Sequence, residues 1–170
     1  MSKNNSNEQK KRLITTKERG QYKTKINNAL FCSQNIKEIL LGDTSEMSPQ
    51  KMISSFKEHV KSHLFIDETI KETGTYIFYD VIMPVLRPQV KTCKLVMYAI
   101  CHRDILENYS KEDYFGNRAD ILSQMIEETL LDKEIVKDFG IGDLSIDSVD
   151  IYNSTTYYGV TMTFIVPTFR

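Results

Sequence analysis

Three histidines and three of the aspartates are the side chains best placed for chemistry in this 170-residue chain. His59 and His63 are four residues apart, the spacing that puts two imidazoles on one helical face, and His102 could supply a third ligand. No carboxylate or cysteine pattern accompanies them, so the spacing predicts no metal. Asp80, Asp104 and Asp120 could hold Mg²⁺ for phosphodiester hydrolysis. The common form of that chemistry needs an acid-x-Lys triplet on a neighbouring strand. The only such triplet is Glu8-Gln9-Lys10, in a basic terminal stretch. There is no G-x-S-x-G elbow, and no cysteine shares a motif with a histidine. "GIGD" (140–143) lacks both the lysine of a phosphate-binding loop and the third glycine of a dinucleotide loop. The residue types therefore predict no cofactor and no catalytic centre.

The most organised stretch is "YFGNRADILSQMIEETLLDKE" (114–134). Gly116 permits a sharp turn, Asn117 is a good N-cap, and Asp120 at the third helical position can close a capping box. Its charge also suits the positive end of the helix dipole. Ile121, Leu122, Met125, Ile126 and Leu130 form one apolar stripe, with Glu127, Glu128 and Asp132 on the wet face. Only Arg118 lacks an internal task. Its charge opposes the dipole, which makes it a candidate for a subunit contact.

The elements around this helix follow from patterning. Residues 1–22 read as a basic flexible arm and 23–170 as a single domain. A helical pattern runs from Lys23 to Leu41 and stops at Gly42. Ser48-Pro49 starts a second helix, with Met52, Ile53, Phe56 and Val60 spaced for one face. The N-terminal helices thus occupy 23–61, and a hairpin–helix–hairpin core occupies 75–170. Its strands are "TYIFYDVIM" (75–83) and "VKTCKLVMYAICH" (90–102), separated by a loop between Pro84 and Pro88, then "LSIDSVDIY" (144–152) and "YYGVTMTFIV" (157–166). In the last, Tyr158, Val160, Met162, Phe164 and Val166 share one face. An α+β fold is expected: an antiparallel sheet of about four strands, two hairpins, with helices on one face. Strands 75–83 and 90–102 are apolar on both faces. The second face therefore needs a cover, either the N-terminal helices or another subunit.

Composition is that of an ordinary globular protein, 41% apolar and 26% charged. The near-zero net charge hides an asymmetry. Residues 1–25 hold eight Lys/Arg and two Glu, a balance of +6, and residues 26–170 balance at −7. Lys10, Lys11, Arg12, Lys17, Arg19, Lys23 and Lys25 are candidates for touching an acidic partner, a neighbouring subunit or nucleic acid. Aromatic interleaving is thin and the acidic body repels phosphates, which disfavours nucleic acid. No apolar run is long enough for a membrane span, and the N-terminus lacks the apolar region of a signal peptide. Cys32, Cys93 and Cys101 read as reduced, packed thiols of a cytoplasmically made protein.

Taken together, "TYIFYDVIMPVLRPQVKTCKLVMYAICH", "YFGNRADILSQMIEETLL", "FGIGDLSIDSV" and "YYGVTMTFIVPTF" resemble the tail-terminator and head–tail joining (neck) proteins of tailed phages. The likeness covers about residues 49–170. It lies in the helix, hairpin, helix, hairpin order and in the glycine-led and tyrosine-rich final strands. The resemblance implies a non-enzymatic virion structural protein without a cofactor. It further implies a homo-oligomeric ring, commonly a hexamer, that caps the tail tube and meets the neck. Small molecules and membranes are not expected partners.

Overall fold

The computed structural model describes residues 15–66, 72–86 and 91–166. It is α+β. The helices are α1 (Thr15–Cys32), α2 (Gln34–Leu41), α3 (Pro49–His59), α4 (Arg118–Leu131) and α5 (Lys133–Phe139). The strands are β1 (Val60–Lys61), β2 (Thr75–Leu86), β3 (Lys91–His102), β4 (Ser145–Asn153) and β5 (Tyr157–Val166). They form one sheet in the order β1-β2-β3-β5-β4, with β1 parallel to β2 and the other pairs antiparallel.

All five helices contribute to one core against one sheet face. Ile77, Tyr79 and Val81 of β2, Leu95, Met97 and Ala99 of β3, and Val160, Met162 and Phe164 of β5 meet Ile26 and Leu30, Ile36 and Ile39, Phe56, Met125 and Ile126, and Val136. Alternation along β5 follows the expected pattern: every second residue from Val160 to Val166 is buried.

Several boundaries differ from the sequence pattern. One helix was expected from Lys23 to Leu41; there are two, broken at Ser33, whose side chain caps α2 by accepting from Ile36 N–H at 3.4 Å. Helix α1 starts at Thr15, so residues 15–22 are helical rather than part of an arm. Its first turns are almost wholly polar, and long-range contacts hold them. Lys10, Lys11 and Arg12 lie outside the described residues. On α3, Phe56 is buried and Met52 half-buried, but Ile53 is 44% exposed, and Val60 belongs to β1. Strand β2 runs through Pro84 to Leu86, with a register shift between Ile82 and Val85. A bulge is where a strand tolerates a residue without an N–H. Helix α5, capped by the Asp132 carboxylate, and the two-residue β1 had no legible pattern. Of the three thiols, Cys93 and Cys101 are buried but Cys32 is exposed, being the last residue of α1.

The apolar stripes of the N-terminal helices pack on the first sheet face, and on the second only His59, the last residue of α3, reaches across, stacking on Tyr76. Tyr76, Phe78, Ile100 and Tyr157 form a small separate cluster there. The chain's own segment after β1 closes it: Ile66 packs on it and His63 meets the Phe78 ring edge-on at 5.8 Å. The carbonyl of Glu72 accepts from Tyr76 Oη at 3.3 Å and Tyr157 Oη at 3.2 Å. Toward the other end of this face, Ile82 is 43% exposed and Val96, Thr161, Thr163 and Ile165 are half-buried.

Candidate interaction surface

The side chains singled out for chemistry have structural tasks in separate places. His59 Nδ1 lies 2.8 Å from the Thr75 carbonyl, a bond that requires the proton on Nδ1. Its ring stacks on Tyr76 at 5.1 Å. His63 falls beyond the end of α3, so the pair shares no helical face. His102 Nδ1 accepts from Asp104 N–H at 3.2 Å, opening a short 3₁₀ turn, Arg103–Ile105. Among the described residues, no three or more His, Cys, Asp or Glu side chains come together as metal ligands would.

The helix start at 116–120 is built as expected. Asn117 Oδ1 accepts from the N–H groups of Ala119 (3.0 Å) and Asp120 (3.1 Å), and Asp120 Oδ2 accepts from Asn117 N–H at 3.0 Å. Gly116 has φ +95°, and a Cβ there would lie 2.5 Å from Asp120 Oδ2. A side chain at 116 would therefore break the box.

Arg118 is the correction. It was expected to lack an internal role, yet Nε donates to Thr75 Oγ1 at 2.7 Å and Nη2 to the Ile39 carbonyl at 2.8 Å. The guanidinium sits 5.0 Å from the centre of the Tyr109 ring. Ile39 lies in the last turn of α2, where carbonyls lack intrahelical partners and the dipole favours a cation. A charge unfavourable for its own helix thus serves the end of another. Thr75, almost fully buried, also donates to Cys101 Sγ at 3.6 Å.

Among the basic candidates, Arg19, Lys23 and Lys25 are likewise engaged within the fold. Arg19 Nη2 pairs with Asp80, its Nε donates to the Val81 carbonyl at 2.7 Å, and Lys23 Nζ lies 2.7 Å from the same aspartate. Partial burial raises the Asp80 pKa, but the bonds from Lys23 and Val81 N–H and the charges of Lys23 and Arg19 outweigh it. The carboxyl is held below its ordinary value. Lys25 Nζ donates to the Gly140 carbonyl at 3.0 Å. Lys17 is exposed on α1. Arg19 also fills hydrogen-bonding capacity on the part of β2 that extends beyond the short β1, as edge strands commonly require.

The exposed apolar side chains that the sequence did not single out lie elsewhere. On the edge strand β4, Val149 is 57% and Ile151 72% exposed. Their partners across β5 are Met162 and Val160, so they continue the core face of the sheet past its helical cover. The signal was present in the alternation of "SIDSVDIY", but exposure could not be told from burial without knowing that β4 is an edge.

The molecule is thus an α+β protein in which His59, Arg118 and Asp120 hold the fold together and the edge strand β4 exposes two apolar side chains among polar ones. The YomW family profile matches residues 7–166, and the chain belongs to that family. The family takes its name from a gene product of a Bacillus phage region, which associates the chain with phage. A comparison with curated proteins finds no match. Among the described residues, no helix is long and apolar enough to cross a membrane.

Proposed function

We propose that this chain is a non-enzymatic phage virion protein, a tail-terminator-like ring subunit that caps the tail tube and joins it to the neck. The observation that carries the reading is the β4 edge. Two β-branched side chains stand exposed on a strand that, among the described residues, has a neighbour on one side only, a surface that isolated monomers normally protect. The phage association of the family supports the same reading, as does the likeness in element order to tail terminators. His59 and Arg118 are occupied in joining elements and Asp120 in capping α4, which favours a structural role over a catalytic one. The alternative, a nucleic-acid-associated protein working through its basic N-terminal stretch, is less favoured because Arg19, Lys23 and Lys25 are drawn into internal contacts.

Negative-stain electron microscopy of the purified protein, alone and mixed with phage tail tubes, tests this. Closed rings, with one ring at the end of a tube, are expected. Particles that remain single subunits in both preparations contradict the reading.

A further inference from the structure

The two edges of the sheet carry opposite chemistry. At the β1 edge, a groove of about 470 Å³ opens between α1, α3 and β1. Lys57, Lys61, His63 and the Asn27 amide line it together with Lys23, whose ammonium already pairs with Asp80, and none of the described lining residues is a carboxylate. Residues 20, 23, 24 and 27 come from one stripe of α1, the helical spacing that places them side by side. Ile53, exposed on α3, precedes Lys57 by four residues and so extends the same rim. Here an apolar side chain stands beside a pair of lysines.

The opposite edge is β4. Its exposed Val149 and Ile151 stand beside Asp147 and Asp150, both exposed. Asp147 already pairs with Lys94 at 2.8 Å, leaving Asp150 as the leading acidic group. From residue 138 to 169 the sequence has four aspartates and no lysine or arginine. With five strands spaced about 4.8 Å apart, the edges are roughly 19 Å apart on one molecule. Two different patches that complement each other generate a heterologous contact, which closes into a ring or extends as a filament.

We infer that the β4 edge of one copy docks in the lysine groove of the next, head to tail. Asp150 meets Lys57 and Lys61, and Val149 and Ile151 pack on Ile53 and the aliphatic lysine stems. The inference rests on the ring reading and names the contact that would repeat around it. Its occupant is a second copy of this chain because charge and apolar character match across the two edges. Opposed charges set the partner and the orientation, so association weakens as salt rises.

Sedimentation velocity of the full chain and of two double variants tests it. Lys57→Glu with Lys61→Glu spoils the groove, and Asp150→Lys with Ile151→Lys spoils the strand. Each variant alone is expected to be monomeric, with far-ultraviolet circular dichroism like the parent. A one-to-one mixture is expected to recover dimers, because each variant keeps the half that the other has lost. An oligomer whose mass survives both reversals overturns the inference and leaves the ring reading standing. A mixture without dimers also overturns it, as does a parent chain that is monomeric at every concentration and low salt; the ring reading falls with it only if tail tubes also fail to assemble the chain. A groove variant of unchanged mass that loses binding to a DNA duplex overturns the inference alone and would make the groove a phosphate site. Carbodiimide crosslinking of the unmutated protein gives an independent reading: a bond between Asp150 and Lys57 or Lys61 of different chains is expected, and its absence contradicts the contact.

Discussion

Arg118 Nε donates to Thr75 Oγ1 at 2.7 Å, joining the first turn of α4 to the first residue of β2 across 43 positions of sequence. Through the same guanidinium α4 reaches the end of α2, and through Thr75 the node reaches Cys101 on β3 and His59 on α3. Replacing Arg118 with Ala or Thr75 with Val leaves buried partners unsatisfied, at a cost of about 1–3 kcal/mol each. Because the two side chains share a bond, the double variant should lose less than the sum of the single losses. Urea melts of the three variants check this, and strictly additive losses would remove the node from the account.

Asp80 makes acid stability a test of the Arg19–Lys23 cluster. Its folded pKa is depressed, so its contribution is fully present above the ordinary aspartate value near 4 and disappears as pH falls through the folded value. Asp80→Asn should cost about 1–2 kcal/mol at neutral pH. The variant should also lose part of the stability change that the parent shows below about pH 4. Chemical denaturation at a series of pH values measures both.

Gly159 sits where β5 is flanked by Ile100 of β3 and Tyr152 of β4. A Cβ there would lie 2.3 Å from the Ala99 carbonyl oxygen and 2.7 Å from Ile100 Cγ2. The obstacle includes backbone, so it cannot simply rotate away. Gly159→Ala should destabilise by about 1–3 kcal/mol through overpacking. A thermal melt equal to the parent's would show that β5 can shift.

The three thiols should separate by burial. Cys93 is fully buried, which pushes its pKa up to about 11, and burial also raises the pKa of the enclosed Cys101. Cys32 is exposed at the end of α1. An aromatic disulfide reagent at neutral pH should react promptly with one thiol per chain, and with all three after unfolding. Prompt reaction of all three in the folded protein would contradict the packing of β3.

What was legible in the sequence depended on the range of the forces involved. The Asn117–Asp120 capping box and the alternation of β5 are local, and both stand as read. Helix α1 before Tyr22 was not legible, because its polar turns are held by Asp80 and Val81, some sixty residues away. The role of Arg118 was hidden for the same reason: its carbonyl partner, Ile39, lies 79 residues upstream. Strand β1, two residues long, is too short to show a period, and its pairing with Ile77 and Phe78 is what defines it. The exposure of Val149 and Ile151 on β4 could be read only once the strand order made β4 an edge.

Native mass spectrometry of the full chain counts subunits and so decides whether the chain forms a ring. One dominant species is expected at a fixed whole-number multiple of the 19.7 kDa chain, unchanged as protein concentration is raised. A 19.7 kDa monomer at every concentration, with tail tubes added as well as without them, would contradict the ring.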